Sequence, residues 1–448
     1  MFRKVLVANR GAVARRVIRA LHTLGVPSVA VYSQADAGAP YLAEAGEALL
    51  IGGPKPADSY LHVERLLKAM RDTGADAVHP GYGFLAENAG FARAVEATGA
   101  RFIGPAPRWL DAMGHKTRAR ALMAQHGLAT GLGSEVLQSN DEFVAAAEAL
   151  GYPVLVKPAA GGGGIGMLIA GNADELLQAI AQGRSLAARA FGVGDVYLER
   201  LLPTPRHIEF QILADASGAR HLFERDCSIQ RRHQKVLEET PAPALARAPI
   251  DALGQQIAVA MSSMGYDNIG TVEMLRAGDG TFGFLETNTR LQVEHGVTEM
   301  ATGVDLVVTQ IRLAAGEPLA ALLPADVALR GHAIEARVYA EDPVRFLPSP
   351  GLLTTFRPPV ADDVRIDTGY AEGQRVTPWY DPLLAKVIVH GVDRLAAIKR
   401  LDEALNEFTV EGLKHNIPAL RKLLADERFI SGDVHTGLLA AVVAPHAA

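Results

Sequence analysis

The stretch Tyr152-Pro153-Val154-Leu155-Val156-Lys157-Pro158-Ala159-Ala160-Gly161-Gly162-Gly163-Gly164-Ile165-Gly166-Met167-Leu168-Ile169-Ala170 decides the fold of this chain. Tyr152 to Lys157 reads as one strand and Met167 to Ala170 as another, so the glycines join strand to strand. Five glycines in the six positions from Gly161 to Gly166 let the backbone approach a polyphosphate with almost no Cβ in the way. Consecutive free N–H groups there would form an anion nest, and Lys157 adds a point charge. No Gly-Lys-Ser/Thr follows, which excludes a Walker A loop, and the position between strands excludes the dinucleotide-binding fingerprint. A loop that is merely flexible is the bland alternative, set against the stability that so dense a glycine run costs. The pattern predicts a hairpin over nucleotide phosphates, with a helix from Ala173 onward.

Upstream, residues 3–9 read as a strand, Arg10-Gly11 as a turn, residues 12–24 as an amphipathic helix and Ser28 to Tyr32 as a second strand. The alternation continues through Leu49 to Ile51, a helix from Tyr60 to Thr73, a strand Ala75 to His79, a helix Asn88 to Thr98 and a strand Arg101 to Ile103. Such alternation implies a doubly wound parallel sheet. Ligands bind these sheets beyond the carboxyl ends of the strands, where His79-Pro80-Gly81-Tyr82-Gly83-Phe84 falls. That loop is either a site wall or a plain Pro/Gly turn. Downstream, strands at Val196 to Glu199, His207 to Leu213 and Phe282 to Glu286, with a helix near Asp305 to Ala315, make an α+β middle section. A bend at Phe346 to Gly351 opens a last section with strands near Val364 to Asp367 and Leu384 to His390.

A length of 448 residues exceeds what one core organises, so several subdomains are expected. With 49% hydrophobic and 21% charged residues, the chain has the profile of a folded soluble enzyme. A formal net charge of −6 argues against a general affinity for nucleic acid or acidic membranes. Any anion must therefore be held locally. A single cysteine, Cys227, excludes an internal disulfide and a Cys-rich metal cluster, which fits a reducing cytoplasm. No long apolar segment marks export or a membrane span.

Three constellations carry chemistry. Lys116 follows Met113-Gly114-His115, and Lys235 ends the basic run Gln230-Arg231-Arg232-His233-Gln234-Lys235. Basic runs are usually solvated faces, but in an acidic chain this one fits a focused anion site. Glu273, Glu286 and Asn288 end or line strands, and paired hard oxygen ligands are how Mg²⁺ is held beside substrate phosphates; surface carboxylates are the alternative. Arg290, Gln292 and Glu294 alternate, so an extended segment would put a cation, an amide and a carboxylate base on one face. That set suits holding a small oxyanion such as bicarbonate while a base takes its proton.

With these residues in hand, the sequence closely resembles biotin carboxylases of the ATP-grasp superfamily over nearly its whole length. The motifs are Ala8-Asn9-Arg10-Gly11, His79 to Leu85, Glu224-Arg225-Asp226-Cys227-Ser228, Gln230 to Lys235, Glu286 to His295, and Arg337. The resemblance implies an α/β fold in three parts: an N-terminal doubly wound parallel-sheet domain (1–112), a central ATP-grasp domain with a mobile lid (113–325, lid about 130–202) and a C-terminal mixed α+β domain (326–448). It implies an ATP site of Lys116, Lys157, Gly161, Gly162, Gly163, Gly164, Gly166, Met167, Glu199, Leu201, His207, Gln230 and His233. Glu273, Glu286 and Asn288 resemble the ligands of Mg²⁺ or Mn²⁺. Lys235, Arg290, Gln292, Val293 and Glu294 resemble the bicarbonate pocket, with Glu294 as the base. Arg337 matches the arginine that stabilises the biotin enolate, and Tyr82 and Gly83 would flank biotin. The implied catalytic set is Glu294, Arg290, Arg337 and Lys235.

The resemblance further implies carboxylation of biotin on a separate carrier protein, a separate carboxyltransferase subunit, and a homodimer in the cytoplasm. Neither an Ala-Met-Lys-Met biotinylation site nor a carboxyltransferase region is found within the 448 residues, so both are expected on separate polypeptides. Departures also occur. The acyl-CoA branch typically has arginine in the glycine loop and proline after the Glu-His pair, where this chain has Ile165 and Gly296. These, and Tyr380 to Lys386, look more like urea or guanidine carboxylases, so the final acceptor stays open between an acyl-CoA and a urea-like amide. Ala12 replaces the usual glutamate after Arg10-Gly11. The rival reading is another ATP-grasp ligase joining a carboxylate to an amine. It would share Lys116, Lys157, the glycines, Glu273 and Glu286, but would not need the Arg290, Gln292, Glu294 face together with Arg337.

Overall fold

The structure, a computed structural model, describes residues 1–130, 133–159 and 166–444. Gly161, Gly162, Gly163, Gly164 and Ile165 lie outside the described residues.

Short, largely apolar runs form the first sheet. Strands β1 (Val5–Val7), β2 (Ser28–Ser33), β3 (Glu47–Gly52), β4 (Ala77–His79) and β5 (Arg101–Phe102) pair in parallel in the order β3-β2-β1-β4-β5. Helices Gly11–Thr23, Val63–Thr73 and Ala89–Glu96 cover it with apolar faces. The order reverses between β1 and β4, and the loops after those two strands, Ala8–Arg10 and Pro80–Phe84, meet at this switch point. Gly11 opens its helix at φ +63°, a left-handed conformation that favours glycine. The helix expected from Tyr60 starts instead at Val63, because a tight turn over Pro56–Asp58 precedes it and Tyr60 is buried under the sheet.

Next come β6 (Val154–Pro158), β7 (Leu168–Ala170) and β8 (Val196–Arg200), an antiparallel sheet in the order β7-β6-β8. Helix Ala173–Phe191 packs on it, started by Asn172, whose side chain accepts from the Glu175 amide. β6 and β7 are the two strands that flank the glycine run, paired antiparallel as that pattern requires.

The largest sheet has eight strands and is antiparallel throughout. It is built from β9 (Arg206–Asp215), β10 (Gly218–Arg231), β11 (Gln234–Thr240), β12 (Asn268–Arg276), β13 (Phe282–Asn288), β14 (His332–Tyr339), and strands Leu383–Gly391 and Val364–Thr368. The spatial order is β13-β12-β9-β10-β11-β14, then Leu383–Gly391, then Val364–Thr368. The middle and last sections of the sequence thus share one sheet, joined where Leu237 to Thr240 pair with Ala336 to Ala333. Sequence periodicity missed β10, β11 and β14 because they bury charged side chains among the apolar ones.

One expected extension is not there. β13 stops at Asn288, Val293 and Glu294 form a turn, and helix His295–Thr302 begins at once. Arg290, Gln292 and Glu294 share a cavity because the chain turns, and strand alternation has no part in it. The helix near Asp305 spans Leu306–Ala314, with the Asp305 side chain capping the Val308 amide at 2.8 Å.

Candidate active site

The large sheet, the β6–β8 sheet and helix Lys116–Gln125 enclose a cleft of about 460 Å³. At its centre, β12 and β13 set Glu273 directly opposite Glu286. Lys116, at the start of its helix, reaches Glu286 at 2.8 Å, and this charge holds the Glu286 carboxyl below its usual range. Burial opposes ionisation of Glu273. Lys235 at 2.7 Å and His207 at 2.9 Å outweigh it and keep that carboxyl well below the usual range. Asn288 donates to Glu273 at 2.8 Å. Two ionised carboxylates and an amide oxygen, with no thiolate, form a donor set that fits a hard divalent cation such as Mg²⁺ or Mn²⁺.

One wall is apolar, with Leu155, Met167, Leu201, Leu275 and Leu285 facing the cleft. Beside it Lys157 of β6 meets Glu199 of β8 at 2.7 Å, and Glu199 is also held by Arg120 at 2.8 Å and by the Tyr197 hydroxyl at 2.8 Å. Burial lowers the Lys157 ammonium against the pull of Glu199. His207, Gln230 and His233 complete this end, with the Gln230 amide 3.1 Å from the His207 ring.

At the other end Lys235 touches three carboxylates, Glu209 at 2.5 Å, Glu273 at 2.7 Å and Glu294 at 2.8 Å. Burial disfavours its charge, yet the three together raise its pKa well above the ordinary value. Glu294 is divided between Lys235 and Arg337, the latter at 3.0 Å, and despite burial it titrates well below the usual range. Arg290 is fixed on three sides, donating to Glu87 at 3.0 Å, Gln292 at 2.7 Å and Asn288 at 2.8 Å. The Val293 carbonyl accepts from Lys386 at 2.6 Å, which pins that peptide. An anion placed beside Lys235 and Arg337 would share the two cations that hold the Glu294 carboxyl down.

A second cavity of about 660 Å³ lies on the far side, lined by Asn9, Tyr82, Gly83, Phe84, Trp379 and Tyr380 among others. Arg290, Val293, Arg337 and Asp381 line both cavities, so Arg337 stands at their junction. The His79–Phe84 loop is therefore a cavity wall. Gly81 is at φ +65°, and a Cβ there would lie 2.9 Å from the Asn9 amide that ties the loop down.

Every sequence-predicted site residue among the described ones faces one of the two cavities, except Gly166, which sits at the end of the glycine run against Pro158. The basic run does not stay together. A tight turn with Arg232 and His233 at positive φ joins β10 to β11. It sends Arg231 to Glu341 and under the Tyr339 ring, while the Arg232 guanidinium donates to the Arg345 carbonyl at the surface. Glu87, Arg120, Glu209 and Asp381 were missed. Glu209 had a signal, since His207, Glu209 and Gln211 alternate along a buried strand.

Opposed ionised carboxylates, lysines from two directions and a nucleotide-sized cleft beside the β6–β7 hairpin define an ATP-dependent ligase of the ATP-grasp type. The profile "Biotin carboxylase, N-terminal domain" matches residues 1–110, "Carbamoyl-phosphate synthase L chain, ATP binding domain" residues 115–322, and "Biotin carboxylase C-terminal domain" residues 335–441. A biotin carboxylase of Halalkalibacterium halodurans is 47% identical, covering 98% of this chain and 97% of its own. A pyruvate carboxylase component of Methanothermobacter thermautotrophicus is 46% identical over 97% of this chain and 89% of its own. The biotin carboxylase domain dimer of Hydrogenobacter thermophilus 2-oxoglutarate carboxylase, solved with MgADP, ADP and bicarbonate, superposes with a TM-score of 0.95 at 42% identity, covering 99% of both chains. The chain belongs to the biotin carboxylase family. No helix among the described residues is long and apolar enough to cross a membrane.

Proposed function

We propose that this chain carboxylates biotin on a separate carrier protein, converting ATP, bicarbonate and biotinyl carrier to ADP, phosphate and carboxybiotinyl carrier. One observation carries the reading: Lys235, Arg290, Gln292 and Glu294 line the nucleotide cleft, and Arg337 joins them to a second cavity. A bicarbonate held there lies between the phosphate end of the cleft and the cavity assigned to biotin.

Lys116, Lys157, Met167, Glu199, Leu201, His207, Gln230 and His233 bind ATP, with Gly161 to Gly164 and Gly166 over its phosphates. Glu273, Glu286 and Asn288 would hold Mg²⁺ or Mn²⁺, which neutralises phosphate charge when bound. Lys235, Arg290, Gln292 and the Val293 backbone orient bicarbonate, and Glu294 takes its proton. A bicarbonate oxygen then attacks the γ-phosphorus and ADP leaves, giving carboxyphosphate. Its C–O bond breaks to CO₂ and phosphate, the phosphate removes the biotin N1 proton, and N1 bonds to CO₂. Arg337 stabilises the enolate oxygen of biotin, which Tyr82 and Gly83 flank. Positioning and charge neutralisation do most of this work.

The three parts divide at 1–112, 113–325 and 326–448, and the lid of about 130–202 closes over the nucleotide to exclude water. A separate apolar core under β6 to β8, from Phe143 to Leu198, supports a lid that moves as a body. The enzyme is a cytoplasmic homodimer that works with a biotin carrier protein and a carboxyltransferase subunit. The final acceptor is an acyl-CoA, an oxoacid or a urea-like amide, the second added because similar proteins serve pyruvate and 2-oxoglutarate carboxylases. The alternative, a carboxylate–amine ligase, leaves Arg337 and the second cavity without a task.

The test is transfer of radiolabel from bicarbonate to a purified biotinylated carrier domain with Mg-ATP. Acid-labile label on the carrier supports the reading. Label that appears only on a soluble amine or carboxylate product contradicts it.

A further inference from the structure

Glu238 of β11 and Glu335 of β14 are direct partners across the two strands. Both are wholly buried. Opposed residues on antiparallel strands bring their Cβ atoms within about 5 Å, and Glu335 lies near enough to push the Glu238 carboxyl up. Among the described residues, no donor hydrogen-bonds to any of their four oxygens. Glu238 has Arg337 at 2.5 Å but outside hydrogen-bonding angles, and Glu335 has Lys386 at 3.6 Å. Two ionised carboxylates cannot persist so close together, in so dry a place, with so few donors.

We propose that Glu238 and Glu335 share a single proton, and that the pair, carrying one negative charge, positions Arg337 at the junction of the two cavities. The proton gives one carboxyl a donor and the other an acceptor, which satisfies oxygens that otherwise have no partner. Burial pushes both carboxyls up, against the pull of Arg337 on Glu238 and of Lys386 on Glu335.

The surroundings fix the balance of charge. Lys235 and Glu294 face Glu238, and Glu294, Asp367, Arg337 and Lys386 face Glu335. Cys227 of β10 and Tyr82 of the loop wall are neutral, their pKa values raised by burial. Helix His295–Thr302 presents Gly296, where an added Cβ would lie 3.2 Å from the Glu335 carboxylate; His295 is neutral, and Glu299 is paired with Arg16 and Arg365. Glu239, next along β11, is held by His332 and Arg394. If both carboxyls were ionised, Arg337 would face three anions and keep little potential for a ligand. With one proton shared, it faces two. The link to biotin rests on the reading proposed above, whereas the shared proton does not.

The experiment is infrared difference spectroscopy of the whole protein in light and heavy water at pH 7, with no substrate. A protonated-carboxyl C=O band is expected, and it should vanish in both Glu335→Gln and Glu238→Gln, because the glutamate left behind ionises beside its cation. Glu335→Asp should shift the band instead of removing it, and serves if a glutamine variant does not fold. No such band in the unaltered protein, or a band that none of these substitutions changes, overturns the proposal. In parallel, kcat/KM for biotin should fall as pH rises above neutral, and this limb should flatten in Glu335→Gln while KM for ATP stays within about twofold. If the unaltered protein shows no biotin-dependent turnover but the band behaves as described, the proposed function fails and the proton-sharing pair stands.

Discussion

The five-stranded parallel sheet and the eight-stranded antiparallel sheet are both well buried, but with opposite chemistry. β1 and β2 bury Val5, Leu6, Val7, Val29, Ala30 and Val31, side chains stabilised by leaving water. β9 and β10 bury Arg206, Glu209, Arg225 and Asp226, tolerable because Arg206 pairs with Asp226 and Arg225 with Glu209. The first sheet is a scaffold that presents loops at its switch point. The second lines the cleft with its own side chains, and its charges are interdependent. Removing one partner there should do far more than trimming a side chain in the scaffold.

The largest effect is expected at Glu294, which is held by both Lys235 and Arg337 and is the base in the proposed reaction. Glu294→Gln should lower bicarbonate-dependent ADP formation by about a hundred- to ten-thousand-fold while the protein stays folded. A loss under tenfold would remove the base from the account. Next is Arg225, wholly buried, 2.5 Å from Glu209 and also bonded to Gln211, Thr271 and Thr298. Arg225→Met leaves Glu209 with a single cation, and denaturant unfolding should show a loss of about 3–5 kcal/mol.

Acid sharpens the comparison, since each region holds one buried neutral histidine. Burial pushes His79, at the end of β4, and His295, beside the site, down to about 3. Between that value and 6.5 the unfolded chain binds more protons. The stability these groups contribute is therefore whole above 6.5 and declines as pH falls through that window, by about 2 kcal/mol each at pH 5. Replacing either histidine by glutamine should remove its share of this acid loss, and a difference in unfolding free energy between pH 7 and pH 5 that neither His79→Gln nor His295→Gln alters would contradict it. The smallest effect belongs to the scaffold: Ile18→Val, in the buried face of helix Gly11–Thr23, should cost about 0.5–1.5 kcal/mol and leave KM for bicarbonate unchanged.

The same contrast explains what could be read from sequence. Strands β1 to β5 were legible because apolar runs alternate with amphipathic helices, and the β6–β7 hairpin because glycine and lysine have few reasons to sit together so densely. Glu273, Glu286, Arg290, Gln292, Glu294 and Arg337 were legible as chemistry and as resemblance, and the structure gathers all six around one cleft. β10, β11 and β14 were not, because Glu224, Arg225, Asp226, Glu238, Glu335 and Arg337 look like solvated positions until their partners are known. The turn at Val293 and Glu294 was missed for another reason: nothing between Arg290 and His295 marks a break, and the helix that starts there has no side-chain cap. The opposition of Glu238 and Glu335, 97 residues apart, is a property of strand register alone.

The most direct test of the central claim is ADP formation by the purified protein with Mg-ATP, compared with no addition, with bicarbonate, and with bicarbonate plus free biotin. The account predicts turnover that requires bicarbonate and rises with biotin. ADP formation indifferent to both, but stimulated by an amine or another carboxylate, would contradict it and return the Arg290 pocket to a different ligase.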